Sequence, residues 1–590
     1  SEARVVNLTC ESLTNPLGMD VVQPRLGWML QDTTRGQKQT AWQVLVSVSR
    51  ETLDANQGVL WDSGRVASDT SIQVPYGGTP LASFQTCFWK VRVWDKDGKP
   101  TAWSAPAFWT MGVLTPEDWA GAQWVGMDAS ETQNPLNETL KSALWIWYPE
   151  ENPAGAAKPG TAYFRKSFEV AGPPAKSVLL LAADNQARVF LNGEKLGDWT
   201  NFKSATTFDL TRRLRPGTNV LAVSVNNMGE NPNPAGLLAL LRVTPADGEA
   251  QDSMTDASWK AANTEQDGWE TPDFDDSGWT PAKELGNAGM DPWKETRVEE
   301  DRVLPARMLR RAFTVDRPVR RASVYLSGLG LSELYLNGAK VGDAVLSPGC
   351  TEYDKRVFYV SHQVAERIQQ GENALGLWLG NGRYYAPRLT EPTTTRSFHY
   401  PKALLLLRLE LEDGSIQTLV SDGQWKITDE GPIRANNEYD GETYDARLEF
   451  PGWTEPGFDD AAWDTVQAVE APGGVLSSEK INPLRVVEHV KPVALTQPQP
   501  GVYVYDMGQN MVGWCRLTVS GPAGTQVKLR HAETLKDGVL YMDNIRGAKV
   551  TDIYTLKGKG TEIWEPRFTY HGFRYVEVTG FPGQPTVENI

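Results

Sequence analysis

A twelve-residue stretch, Ala187–Asp198 (ARVFLNGEKLGD), returns 145 positions later as Ser332–Asp343 (SELYLNGAKVGD), with six of the twelve residues identical. Each copy reads as a strand, an Asn-Gly turn and a returning strand, because a tight hairpin needs two central residues that tolerate positive φ. The likeness continues as PGTNVLAV (216–223) against QGENALGL (370–377). It closes with a second signature, GWETPDFDDSGW (268–279) against GWTEPGFDDAAW (452–463). A unit this long exceeds a solenoid repeat, so the chain carries two homologous domains in tandem.

Those domains are β-structured. Helical periodicity is almost absent, and the only helical expectations are short, at Asp209–Arg213 and His362–Gln370. Elsewhere apolar residues alternate or come in short runs, punctuated by 53 Gly and 38 Pro. This predicts an all-β chain of tandem β-sandwich or jelly-roll domains. The first ~113 residues predict a fibronectin-III-like sandwich of about seven strands. Within it Trp89 and Trp94 fall on opposite faces of one strand, since their separation is odd.

Composition excludes several functions. With 58 basic and 74 acidic side chains the net charge is −16, which argues against a nucleic-acid partner held through its phosphates. No apolar run approaches the ~20 residues of a membrane-spanning helix. Cys10, Cys87, Cys350 and Cys515 form no CxxC pair and read as isolated thiols rather than two disulfides. Ser1 opens on polar sequence, without a signal peptide.

Positions that differ between the copies are candidates for ligand contact. Asp184-Asn185, read here as a turn, corresponds to Leu329-Gly330 in the second copy, and Trp199 corresponds to Ala344. The polar run Asn226–Pro234 corresponds to Gly380-Asn381-Gly382, with Asn227 aligned to Asn381. Asp184 and Asn185 beside a carbonyl-rich loop make an oxygen-only donor set, the chemistry of Ca²⁺. A ring such as Trp199 could pack an apolar sugar face. On the residues alone, a plain Asp-Asn turn and a core tryptophan is the stronger reading. The pairs Asp275-Asp276 and Asp459-Asp460 resemble the paired carboxylates of glycoside hydrolysis, but they recur at equivalent positions and read as structural. The five histidines show no metal-ligand spacing, and no catalytic constellation stands out.

The chain resembles the N-terminal, non-catalytic part of large bacterial α-L-rhamnosidases, over essentially all 590 residues. TNPLG and PRLGW within Leu13–Trp28, then Trp61–Gly64, resemble that family's leading fibronectin-type domain. YLNGAKVGD, LSPGCTEYDKRVFY and GENALGLWLGNGRYY, within Leu304–Pro387, resemble its jelly-roll domain. YDMGQNMVGW, RHAETLKDGVLY and FTYHGFRYVEVTG, within Tyr505–Gly580, resemble the β-domain before its catalytic barrel.

The resemblance implies a fibronectin-III-like domain at 1–113 and an inserted rhamnose-binding module at 140–295. The second jelly roll would comprise 114–139 with 296–475, and a further β-domain 476–590. Trp119–Gly126 would then be the displaced first strand of that second jelly roll. In the module calcium bridges protein and sugar, and this reverses the reading of the Asp-Asn pair. Asp184, Asn185, Asn227 and the Pro234 carbonyl become metal ligands. Asp184, Asn185, Trp199, Asn226 and Asn227 become contacts to an L-rhamnose-containing glycan. The second copy would not bind.

The family's catalytic (α/α) barrel is not in this chain and is expected C-terminal to residue 590. Hydrolysis of terminal α-L-rhamnosyl linkages is therefore expected of a parent enzyme, and the 590 residues alone are expected to be inactive. The alternatives are a stand-alone calcium-dependent, lectin-like rhamnose-binding protein and an array of spacers without a ligand. Export to the periplasm or beyond is the expectation the family carries.

Overall fold

The computed structural model describes residues 3–128, 136–298, 302–387 and 397–590; the chain start at Ser1 lies outside them. Strands dominate, and among the described residues the longest helices, Arg50–Asp54 and Leu136–Leu140, have five residues. The expected helix over His362–Gln370 is a single 3-10 turn, Ala365–Arg367, and Asp209–Arg213 forms only turns after a strand. The chain divides into two compact units, one of Ser1–Ser130 with Arg302–Ile590 and one of Glu131–Asp301. All four cysteines are free; Cys350 is exposed and the other three are buried.

The leading domain packs a three-stranded sheet (Arg4–Cys10, Arg25–Gln31, Val74–Pro75) with a four-stranded one. The latter runs Trp61–Asp62, Ala41–Ser47, Thr86–Trp94, Ala107–Thr110. Strand alternation decides the core: Cys87, Trp89, Val91 and Val93 are buried together. Trp94, on the other face, lies beneath Arg65 and Arg92, each 5.2 Å from its ring centroid.

The two repeats share one topology. In the first, a six-stranded sheet runs Glu194–Trp199, Gln186–Leu191, Gly217–Asn227, Gly160–Val170, Lys260–Ala262, Thr280–Pro281. In the second it runs Ala339–Lys340, Leu331–Leu336, Gly371–Gly380, Arg307–Val315, Lys426–Thr428, Asp464–Thr465. The facing sheets also correspond. In the second copy Val125–Gly126 pairs with Lys402–Leu411 and Gln467–Ala468, as Leu144–Trp147 pairs with Gly236–Pro245 and Lys283–Asn287 in the first.

The residues common to both copies have structural work. Asn192-Gly193 and Asn337-Gly338 all take positive φ, the conformation a two-residue hairpin demands. Asn192 accepts from the Val220 amide and donates to Asn219; Asn337 accepts from Ala374 and donates to Asn373. The Phe-Asp-Asp turns cover a buried arginine. Arg165 reaches Asp276 at 2.9 Å and the carbonyls of Trp269 and Thr271. Arg310 reaches Asp460 at 2.7 Å and the carbonyls of Trp453 and Glu455. The companion carboxylates, Asp275 and Asp459, each accept a backbone N–H two residues on.

A last seven-stranded sheet holds Ala494–Gln499, Val502–Gly513, His571–Thr579, Gln526–Ala532 and Thr551–Thr555. Its remaining strands come from the hairpin Ile433–Asn437/Gly441–Asp445, which lies within 296–475 in sequence. Gly441–Asp445 runs parallel to Thr551–Thr555.

Candidate functional site

Strand Pro174–Asp184 carries two alternating sets of side chains. Leu179, Leu181 and Ala183 enter the core between the sheets. Leu180 and Ala182 face the other way, into a second cluster with Trp145, Leu238, Leu240 and Trp293. Period two puts Asp184 on that second face. Its partner across the ladder is Gly236, where a Cβ would stand 2.7 Å from Trp145 and 3.1 Å from Trp293. Only glycine admits the stacked Trp145–Trp293 pair (centroids 4.2 Å apart) beside the carboxylate.

Asp184-Asn185 is not the hairpin turn expected from the sequence. Pro174–Asp184 belongs to one sheet and Gln186–Leu191 to the other, so the dipeptide is the crossing between sheets. A cis peptide joins Asp184 to Asn185, and another joins Leu329 to Gly330. The Asp184 side chain is 5% exposed. Its Oδ2 accepts from Trp293 Nε1 at 2.8 Å and its Oδ1 from Asn185 Nδ2 at 2.7 Å. Burial pushes its pKa above the ordinary carboxylate range, and the Trp293 hydrogen bond opposes this in part.

The neighbouring candidates divide. Asn185 joins the loop: its amide N–H donates to the Asn226 carbonyl at 3.3 Å, and its Oδ1 accepts from Met228 N at 2.9 Å. Asn227 is buried and turns its amide nitrogen to the carbonyls of Ala157, Lys158 and Asn233. Its Oδ1 is buried without a hydrogen bond, and so is that of its counterpart Asn381. Pro234 is half-buried, two residues before Gly236. Trp199 packs on the inter-sheet core, and its Nε1 donates to Asn201 O and Ser204 O. Trp293, which holds Asp184, was not singled out from the sequence. It lies outside both repeated signatures, and that was the available signal.

The donor set fits a hard cation in kind. One carboxylate, one amide oxygen and the Asn226 carbonyl are all hard oxygen donors, each engaged in a hydrogen bond within the fold, and a cation would relieve the burial of the Asp184 charge. In the second copy the same place is filled by protein. A Cβ at Gly330 would meet Asn381 O at 2.1 Å, and one at Gly380 would meet the Phe568 ring at 2.4 Å. Asn381 is further tied to Leu304 O and Asn436 O.

Spacing in the sequence also concealed a buried cluster, His531, Asp552 and His571, on adjacent strands of the last sheet. His571 Nε2 lies 3.0 Å from an Asp552 oxygen and His531 Nε2 3.9 Å away. The imidazoles stack, with centroids 4.0 Å apart and planes 20° apart. Lone pairs of stacked rings run nearly parallel in their own planes and do not converge on one ion. The arrangement is a packed polar cluster rather than a metal centre.

Compared with known families, residues 5–115 match the Rha78A-like N-terminal immunoglobulin domain and 317–488 the α-L-rhamnosidase N-terminal domain. Residues 496–590 match the bacterial α-L-rhamnosidase concanavalin-like domain, and 123–231 the β-galactosidase second all-β domain. An α-L-rhamnosidase of Streptomyces avermitilis is 40% identical over 100% of this chain and 57% of its own length. One from Formosa agariphila is 26% identical over 98% of this chain and 46% of its own. Among solved structures, the Streptomyces avermitilis α-L-rhamnosidase complexed with L-rhamnose superposes with a TM-score of 0.73, at 40% identity, covering 100% of this chain and 57% of that one. The α-L-rhamnosidase from Dictyoglumus thermophilum gives 0.65 at 31% identity, covering 99% and 48%. The chain spans about half the length of the curated relatives it matches. The chain thus carries, in order, domains that match the N-terminal domains of bacterial α-L-rhamnosidases, and it aligns along its whole length with enzymes of that name.

Proposed function

We propose that this chain is the non-catalytic, carbohydrate-binding part of an enzyme that hydrolyses terminal α-L-rhamnosyl linkages, and that its 140–295 module holds L-rhamnose through Ca²⁺. The observation that carries the reading is the Asp184-Asn185 crossing. It sets a buried carboxylate beside an amide oxygen at a sheet end where the second copy has Leu329-Gly330 instead. The chain is also 40% identical to a rhamnosidase crystallised with L-rhamnose. When bound, Ca²⁺ would supply coordination sites for sugar hydroxyls. Asp184 would provide the charge, Trp293 would orient its carboxylate, and Asn185 would tie the site to the Asn226–Pro234 loop. Trp199, Asn226, Asn227 and the Pro234 carbonyl are further proposed contacts, of which Trp199 already uses its N–H within the fold.

Asp184→Asn is the informative variant. Alanine would strand the buried Trp293 N–H, at about 1–3 kcal/mol; asparagine keeps an acceptor there and removes the charge. Calorimetry with L-rhamnose should show binding in Ca²⁺, none after chelation, and at least about tenfold weaker binding by the variant. Rhamnose binding that ignores both chelator and substitution overturns the calcium reading.

The raised Asp184 pKa fixes a sign for the metal-free protein. A carboxyl whose folded pKa lies above its unfolded value adds stability at low pH and loses it as pH rises through the folded value. Asp184→Asn is therefore expected to melt higher than the parent at pH 7 without metal. The two should converge toward pH 3, and added Ca²⁺ should stabilise only the parent. Differential scanning calorimetry across pH 3–7 checks this.

Catalysis is assigned elsewhere in the parent enzyme, because an (α/α) barrel needs long helices and the described residues form none beyond five residues. Purified chain should release no L-rhamnose from an aryl α-L-rhamnoside; measurable release defeats the assignment.

A further inference from the structure

The rule that separated the copies points to a second place. On the LNG hairpin of the second copy, Glu333 and Tyr335 stand where the first copy has Arg188 and Phe190. The rest of that hairpin serves turn and core, with Leu334 and Leu336 buried between the sheets. Glu333 and Tyr335 instead line a cleft of about 520 Å³ between the second sandwich and the last domain, a size typical of small-ligand sites.

The opposite wall is aromatic. Tyr444, Tyr554 and Trp564 pack ring on ring, with centroids 5.2–5.8 Å apart. They are nearly covered and form a floor. Trp514 differs. It is half-buried, belongs to no core cluster and has no ring partner among the described residues. Yet its Nε1 donates to Glu565 Oε2 at 2.8 Å, and Arg516 holds the other Glu565 oxygen at 3.2 Å. A pinned ring at a cleft edge is a platform that loses little freedom when something stacks on it.

The polar groups narrow the ligand. Glu333 accepts from Tyr335 OH at 2.9 Å and is paired with Arg567 at 3.3 Å and Lys340 at 3.5 Å. Glu449 accepts from Tyr444 OH at 2.9 Å and pairs with Lys557 at 2.6 Å. Each carboxylate is already matched by a cation, so the cleft has little net charge to attract an ion. What it offers is fixed acceptors and donors beside a flat apolar ring. That combination suits a molecule with hydroxyls on its edges and C–H groups on its face.

We propose that this cleft binds a short neutral oligosaccharide, stacked on Trp514 and hydrogen-bonded by the Glu333–Arg567 pair, independently of calcium and of Asp184. The full 590-residue chain and its Trp514→Ala, Trp514→Phe and Asp184→Asn variants would be applied, with chelator present, to an array of neutral oligosaccharides of two to four units. The parent and Asp184→Asn should retain the same glycans, Trp514→Ala should bind them at least about tenfold more weakly, and Trp514→Phe should recover part of the loss. Unchanged melting of Trp514→Ala separates lost binding from lost fold. The proposal falls if no neutral glycan is retained, which would leave the cleft as a seat for another protein domain. It also falls if Trp514→Ala binds like the parent, or if Asp184→Asn loses the glycans that the parent retains.

Discussion

Arg310→Ala is expected to destabilise the second sandwich by about 3–5 kcal/mol, the cost of breaking a buried ion pair from one side. The Arg310 side chain is 2% exposed and serves Asp460 and two backbone carbonyls at once, with Phe458 stacked 5.4 Å from its guanidinium. Alanine strands three acceptors and opens a void. Lysine should not rescue it, because one ammonium cannot span the carbonyls of Trp453 and Glu455 while meeting Asp460. The repeat supplies the control: Arg165→Ala should do the same to the first sandwich, where Arg165 is 1% exposed and faces Asp276. Hydrogen exchange should rise within 302–475 for the first variant and within 136–298 for the second. Exchange unchanged around the Phe-Asp-Asp turns would show that the arginines do not hold them.

The second large effect is loss of stability in acid, centred on His531. Burial, and then the adjacent His571 ring, push its pKa down to about 3, while its Nδ1 donates to Val550 O at 2.9 Å. A base with a depressed folded pKa stays neutral in the fold but takes a proton once unfolded. Its contribution is therefore complete above pH 6.5 and falls between 6.5 and about 3, at about 1.4 kcal/mol per pH unit while one proton separates the states. Asp552 adds the same sign. Burial alone would raise it, but His571 beside it holds it below the ordinary carboxylate range, so its stabilisation is also lost on acidification. His531→Phe should flatten the profile between pH 6.5 and 3 at small cost at pH 7, since the Val550 carbonyl keeps the His531 backbone N–H. Denaturant melts at half-unit pH intervals would show this; an equally steep profile in the variant removes His531 from the account.

The sequence disclosed what is local and periodic. The Asn-Gly turns, the alternation that buries Trp89 but not Trp94, and the shared Phe-Asp-Asp turns all follow from spacings a reader can count. It did not disclose what is brought together from afar. Asp184 reads as a turn residue because the sequence cannot show that the strands on either side belong to different sheets. Trp293 lies 109 positions from the carboxylate it holds. His531, Asp552 and His571 have no ligand-like spacing because they meet across three strands rather than along one. The same distance hid the cleft beneath Trp514.

The pairing of Val125 with Ala403 bears on how the chain is made. The partner strand emerges from the ribosome 278 residues after Val125, which at about 5–20 residues per second is tens of seconds. Throughout that interval Val125–Gly126 must wait as an open strand while all of Glu131–Asp301 is synthesised and can fold on its own contacts. Any slowing of translation between these points lengthens the exposure of an unpaired strand. The interrupted sandwich is thus the vulnerable step in biosynthesis, and the uninterrupted module is its safest.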